Sequence, residues 1–251
     1  MGFFSNNHVT NITISENVGW KNGSMYAAYS NCRNFNQPVN IPDGIIDIAD
    51  IFRFCTNYNS PVYIPNSVTN AYGMISYCYN FNQPVNIPNS VTNAQYVFHS
   101  CSNFNQPINI PNSVVNAGCM FSFCSKFNKP IVFPDSVTTI YSALAMCGNF
   151  NSAVVVGNGV TNMWNAFGYA YNFANNITIY SKNVTNVIYM LGSKYNNKRV
   201  NIFVPAGSTT NSKIANTYAN GSIFSANITW TKSTNYYYNS ARNVYVYFNK
   251  F

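Results

Sequence analysis

The string NFNQPVNIP begins at Asn34 and returns intact at Asn80, and NFNQPINIP follows at Asn103. Degenerate copies begin at Asn57 (NYNSPVYIP), Lys126 (KFNKPIVFP), Asn149 (NFNSAVVVG) and Asn172 (NFANNITIY). The aromatic that anchors each copy falls at Phe35, Tyr58, Phe81, Phe104, Phe127, Phe150 and Phe173, at one unvarying interval. Tyr195 is an eighth anchor, one residue early, and Val200 with Ile202 restores the frame. A fixed period of this size confines the chain to folds in which copies stack on one another.

Other positions recur in the same frame. Three residues before each aromatic stands Cys32, Cys55, Cys78, Cys101, Cys124 or Cys147, with Ala170 in the next copy. Thirteen before stands an aliphatic residue, from Ile45 through Val68, Val91, Val114, Val137 and Val160. Six before stands Tyr29, Phe52, Ile75, Phe98, Phe121, Leu144 or Phe167. In PVNIP the apolar pair alternates with one polar residue, which predicts a short strand with Val39 and Ile41 inward and Asn40 outward. Pro42 ends it, and Asn or Asp with Ser supplies a turn. From Ala71 to Cys78 the apolar residues fall at near-helical spacing, so one or two turns of α- or 3₁₀-helix are expected there.

A unit of this length cannot bury its own apolar face, but stacked units can. The expectation is a β-rich α+β repeat, a solenoid of about seven to eight coils, each adding roughly 4.8 Å. Within it the aromatics form a spine. Asn36, Asn59, Asn82, Asn105, Asn128 and Asn151 form an amide ladder that satisfies turn backbone. Residues needed in every coil are structural, since a site residue is needed once. The same logic makes the six cysteines of one column small buried hydrophobes instead of disulfide partners. Cys119, outside that column, is expected to be partly exposed.

Charged residues make up only 7% of the chain, against roughly 25% in ordinary soluble domains. The 45 Asn and 20 Tyr must therefore cover much of the surface. This composition excludes disordered polyelectrolyte, coiled coil and collagen. Five acids in all, Glu16, Asp43, Asp47, Asp50 and Asp135, argue against a multi-carboxylate enzyme. The formal charge of +8 falls entirely on residues 136–251, where Lys194, Lys198 and Arg199 form a basic patch suited to an anionic surface. No apolar run is long enough to span a membrane. The opening MGFFSNNHVT lacks the basic and apolar regions of a signal peptide.

The apolar anchor, I-x-I-P, Val and F-x-x-C over roughly residues 32–205 resemble the BspA-like leucine-rich repeat of bacterial surface proteins. FNQPV and VTN are similar to related FNQP-type repeats. IFVPAGSTTNSKIANTY resembles the segment that closes such arrays. Phe stands where the family has Leu, and the Gly of V-x-x-I-G is mostly missing. The resemblance implies a leucine-rich-repeat solenoid over 32–205, with an N-terminal cap over 1–31 and a C-terminal cap over 206–251 that contains a β-hairpin. A short helix is expected over Ser208 to Tyr218, with a turn at Asn239 to Arg242. The resemblance also implies binding and adhesion at an extracellular or cell-surface location, while the missing secretion signal, a departure from the family, would suit a phage or virion protein released by lysis.

Catalytic and metal signals are poor, and no cofactor is expected. Asp43 and Asp47 align with turn asparagines in other copies, which weakens a calcium reading of Asp43, Asp47 and Asp50. His99 shares its column with Arg53, Ser76 and Ser122, and is expected to be a surface substitution. Binding signals lie where columns vary beside fixed ones. One column runs Tyr72, Gln95, Gly118, Tyr141 and Trp164, another Phe54, Tyr77, Ser100, Phe123, Met146 and Tyr169, and the outward strand position includes Tyr63. Rings beside amides suit neutral sugars, although the same rings would also fill gaps between coils. The candidate binding residues are Tyr63, Tyr72, Tyr77, Tyr141, Trp164 and Tyr169. Two functions remain open. One is non-enzymatic recognition of a surface glycan or protein. The other is a structural virion or assembly component, held to a homo-oligomeric or virion partner through the aromatic C-terminal cap. Nucleic acid is disfavoured.

Overall fold

The computed structural model describes residue 10 and residues 20–191, 199–205, 208–210, 231–232, 236–239 and 244–250. Among them the architecture is β-rich with parallel strands and almost no helix. β1 (Val39–Asn40) pairs in parallel with β2 (Val62–Tyr63). A second sheet is built from β3 (Ile131–Phe133), β4 (Val154–Val156), β5 (Asn176–Ile179) and β6 (Arg199–Val204), all parallel. β7 (Thr231–Lys232), β8 (Tyr236–Asn239) and β9 (Val244–Lys250) complete it in the order β3-β4-β5-β6-β9-β8-β7. β8 and β9 are antiparallel, while β9 runs parallel to β6.

The register follows the repeat. Val39 faces Val62, and Ile131 faces Val154, each at the equivalent position of the next unit. A second column of parallel bridges links Ser24, Asp47, Asn70, Asn93, Asn116, Thr139, Asn162 and Asn186. The last step of that column is longer than those before it, and Ile177 pairs with Ile202, not with Val200 as an unbroken frame requires. The expected return to frame at Val200 and Ile202 is therefore corrected. One residue is added between Ile179 and Val184 and another between Asn186 and β6. Tyr195 lies outside the described residues.

The aromatic spine is present. Successive rings from Phe35 to Phe173 stack 5.6–6.1 Å apart with planes tilted 5–14°. A second set interleaves with it, with Phe52 4.3 Å from Tyr58 and Phe98 4.2 Å from Phe104. Ile75 and Leu144 interrupt this second set. These are the offset distances aromatic quadrupoles prefer, and every ring removes apolar area from water. The spine tyrosine keeps its hydroxyl paired, since Tyr58 Oη donates to Pro61 O at 3.2 Å.

Three further ladders stitch the units. Asn59 N–H donates to Asn36 Oδ1 at 2.8 Å, and the pattern repeats at Asn82, Asn105, Asn128 and Asn151 and ends at Ala174. The hydroxyls of Ser67, Ser90, Ser113 and Ser136 each donate to a carbonyl of the preceding unit. The cysteine thiols do more than fill space. Cys55, Cys78, Cys101, Cys124 and Cys147 each donate from Sγ to a carbonyl 26 residues back, at 2.9–3.0 Å. All seven cysteines are free and buried, including Cys119, which was expected to be partly exposed.

The expected helix at Ala71–Cys78 is absent. The segment is a run of turns in which alternate amides point in opposite directions. Met74, Ser76 and Cys78 donate to carbonyls three residues back. Ala71, Gly73, Ile75 and Tyr77 donate across to Asn93, Gln95, Val97 and His99 of the next unit. The remaining amide, Tyr72 N–H, is taken by Asn70 Oδ1 at 3.2 Å. Alternation requires a left-handed residue twice per unit. One column of positive φ includes Asp50, Gly73, Tyr96, Cys119 and Ser142, and the other includes Phe54, Tyr77, Ser100 and Phe123. Such conformations cost most side chains of order 1 kcal/mol, which the cross-unit hydrogen bonds offset. Met74, Ile75 and Cys78 are buried in this arrangement as they would be in a helix, so their spacing does not distinguish the two. Among the described residues the only helical pieces are Lys21–Gly23 and the start of a turn at Thr209 and Thr210. The rest of the expected 208–218 helix, and most of the expected 239–242 turn, lie outside the described residues.

Candidate functional site

The left-handed turns set which side chains leave the stack. On this turn face Gly73 and Ser76 are small, as in most units, but their unit lies between two with long side chains. The unit before it presents Asp50 and Arg53 in the same two columns, and the unit after presents Tyr96 and His99. Short side chains between long ones leave a cleft of about 250 Å³, with Tyr72 and Tyr77 as its walls. A Cβ at Gly73 would lie 2.3 Å from Asp50 Oδ1, so the carboxylate overhangs the glycine and depends on its missing side chain.

The polar groups here are incompletely paired. Arg53 Nη1 lies 3.4 Å from Asp50 Oδ2. The guanidinium also sits 5.0 Å from the ring centre of Phe54 and 5.8 Å from that of Tyr77. His99 Nε2 is 3.2 Å from Tyr77 Oη, and its ring meets Tyr96 and Phe123 edge-on. Asp50 is only 7% exposed. Yet Asp50 Oδ1, Arg53 Nε and His99 Nδ1 are buried with no hydrogen-bond partner among the described residues. Buried polar atoms are normally paired, so three in one cleft mark hydrogen-bonding capacity that the described side chains do not use.

Burial also shifts the titrations. Desolvation pushes the Asp50 carboxyl above its ordinary value, an effect partly countered by Arg53. Desolvation, with the Arg53 charge second, lowers His99 to about 4, so its imidazole is neutral at pH 7. Burial likewise raises the Tyr72 phenol. Shifts clustered in one cleft are a mark of functional sites.

Tyr72 and Tyr77 thus meet in the cleft. Tyr141 is not among the lining residues; it lies over Gly118 and its Oη donates to Tyr96 Oη at 3.1 Å while accepting from Gln95 Nε2. Trp164 and Tyr169 occupy the same columns four units after Tyr72 and Tyr77. Each meets a different ring edge-on, Trp164 with Tyr189 at 6.4 Å and Tyr169 with Tyr171 at 6.1 Å. Trp164 remains 39% exposed. Tyr63 belongs elsewhere. It is 62% exposed on the strand side, in an open groove of about 680 Å³ with Pro61, Pro84 and Pro107. Lys194 and Lys198 lie outside the described residues, and Arg199 enters only as the first residue of β6.

His99, expected to be a surface substitution, is half-buried and lines the cleft beside Tyr77 and Tyr96. Asp50 faces Arg53, whereas Asp47 is spent on structure. Asp47 Oδ1 accepts from Asn70 Nδ2 at 2.9 Å and from Ala49 N–H, and Oδ2 accepts from Ser24 Oγ. The available signal was positional, with Gly73 and Ser76 sitting between Asp50/Arg53 and Tyr96/His99 when the repeats are laid in columns. Among the described residues no three His, Cys, Asp or Glu side chains converge on a metal position, and no helix is long and apolar enough to cross a membrane.

No curated protein and no solved structure matches the chain. A family described as "Mycoplasma protein of unknown function, DUF285" matches over residues 23–133, 47–156 and 115–231. Overlapping matches are what a repeated sequence produces, because one pattern fits in several registers. Together they run from residue 23 to residue 231, across all the stacked units described above, and the chain belongs to the DUF285 family.

Proposed function

We propose that the chain is a leucine-rich-repeat solenoid of the BspA-like kind. In this reading it acts as a non-enzymatic recognition or adhesion protein at a cell surface or on a virion, binding a surface glycan or protein through its turn face. The observation that carries this reading is the cleft at Tyr72 and Tyr77. There the repeat departs from its own pattern, and buried polar atoms stand without partners. Ladder residues recur because stacking needs them; Asp50, Gly73, Tyr96 and His99 do not recur, and stacking does not explain them. The columns of Tyr72 and Tyr77 carry Trp164 and Tyr169 further along, which gives an extended partner more than one aromatic contact. A catalytic reading has less support. Burial pushes the Cys78 and Cys124 thiols well up, away from nucleophilic character.

The test is a binding screen of the labelled protein against bacterial surface glycans and whole cells, at low and at high salt. Binding that survives salt and is lost in Tyr72→Ala with Trp164→Ala supports the proposal, since stacking and neutral hydrogen bonds are little screened. Retention on no surface sinks it, and a stable oligomer in that case points to an assembly component.

A further inference from the structure

Resting on the recognition reading above, we propose that the cleft between Asp50/Arg53 and Tyr96/His99 is a subsite for a single uncharged pyranose ring, free or at the end of a glycan chain. Size is the first argument. A cleft of about 250 Å³ falls just under the roughly 300–1,000 Å³ of sites for drug-sized ligands, so it admits about one ring. Charge is the second. Asp50 and Arg53 already face each other, and an ionic ligand would find its counter-charge engaged. A cation is disfavoured further, because the Arg53 guanidinium occupies the faces of Phe54 and Tyr77.

Hydrogen-bond capacity is the third argument. The unpaired atoms are an acceptor (Asp50 Oδ1), a donor (Arg53 Nε) and a ring nitrogen that takes either role with its tautomer (His99 Nδ1). A hydroxyl both donates and accepts, so neighbouring hydroxyls on one ring match this mixed set of donor and acceptor atoms. Tyr72 and Tyr96 supply aromatic surface for the C–H faces of the same ring. The fourth argument is construction. Asp50 is buried and its Oδ1 overhangs Gly73, so the acceptor is fixed in place before any ligand arrives.

The experiment titrates the full chain with the methyl glycosides of glucose, galactose, mannose and N-acetylglucosamine. Saturation-transfer NMR detects binding, and the His99 ring resonances report its place. At least one glycoside is expected to bind with a dissociation constant of the order of 1 mM, the affinity that about a dozen ligand heavy atoms sustain, and to shift His99. Asp50→Asn is expected to weaken it about tenfold with unchanged melting, because asparagine accepts the left-handed conformation at this position readily. Arg53→Gln, at a half-exposed side chain, is a second variant with the same expected direction. Lys182→Ala, at an exposed side chain outside the cleft, is expected to leave glycoside binding unchanged. The subsite is overturned if no glycoside shifts His99, if Asp50→Asn binds as the native chain does, or if tetramethylammonium shifts His99 where the glycosides do not. A chain that still adheres to cells through Trp164 while failing these tests keeps the recognition reading and loses the subsite.

Discussion

Replacing Phe104 by alanine should remove the largest single contribution to the middle of the stack. Its ring is fully buried, 4.2 Å from Phe98 in its own unit, 6.1 Å from Phe81 before it and 5.9 Å from Phe127 after it. Truncating a buried phenylalanine costs about 3–5 kcal/mol through lost transfer energy and the cavity left behind. A stack transmits stability between nearest neighbours, so this one change weakens two inter-unit contacts at once. Phe35→Ala loses only one following spine neighbour, Tyr58 at 5.8 Å, and should cost less. Both costs are read from urea unfolding followed by circular dichroism, with the slope held common to the variants. A cost below about 1.5 kcal/mol for Phe104→Ala, the level of a volume-conserving core swap, would refute the reasoning. A larger cost at Phe35 than at Phe104 would contradict the nearest-neighbour argument.

Other changes separate the remaining forces. Gly44 and Gly73 both have positive φ, but a Cβ meets nothing at Gly44 and meets Asp50 Oδ1 at Gly73. Thus Gly44→Ala should lower stability by about 1 kcal/mol, while Gly73→Ala should lower it further and displace Asp50, as thermal melts and the His99 resonances would record. The seven thiols should resist a thiol reagent in the native chain and react together on unfolding, because all are buried and the ladder thiols are held protonated. Cys101→Ala removes one of the two donors to Ile75 O, which keeps the Cys78 N–H, and should cost about 0.5–1.5 kcal/mol, whereas Cys101→Ser keeps a donor and should cost less. Lowering pH from 6.5 toward 4 should destabilise the protein through His99. Its folded value of about 4 lies below the ordinary 6.5, so protons bind the unfolded chain preferentially across that window. Partial exposure screens the effect to about 1 kcal/mol. The raised Asp50 acts in the opposite direction just above 3.8, since protons there favour the folded chain. His99→Gln should flatten the loss of melting temperature across this range, and a slope unchanged from the native chain would remove His99 as its cause.

What the sequence made legible was whatever recurs. Phe35 to Phe173, the Asn36 ladder and the cysteine column each repeat because every unit needs the same contact with the next, and stacking followed from them directly. The turns at Ala71–Cys78 were not legible as turns. Burial of Met74, Ile75 and Cys78 fits a helix equally well, and the deciding feature, left-handed backbone at Gly73 and Tyr77, falls in columns occupied elsewhere by ordinary side chains such as Cys119 and Phe123. The lengthened step from Ile177 to Ile202 was hidden because Val200 is also a plausible strand residue. Tyr72 and Tyr77 were legible as candidates from their variable columns. His99 and Asp50 were not, because each was judged alone while the cleft arises between units, where the small Gly73 and Ser76 separate long side chains.

The turn face as the binding face is tested most directly by hydrogen exchange on the protein held to whichever cell-surface preparation retains it. The account predicts slowed exchange in peptides covering residues 50–54, 72–77 and 95–100, where the cleft and its flanking turns lie. Slowing confined to the strand-side groove at Tyr63, Pro84 and Ile108, or no slowing on either side, would contradict it.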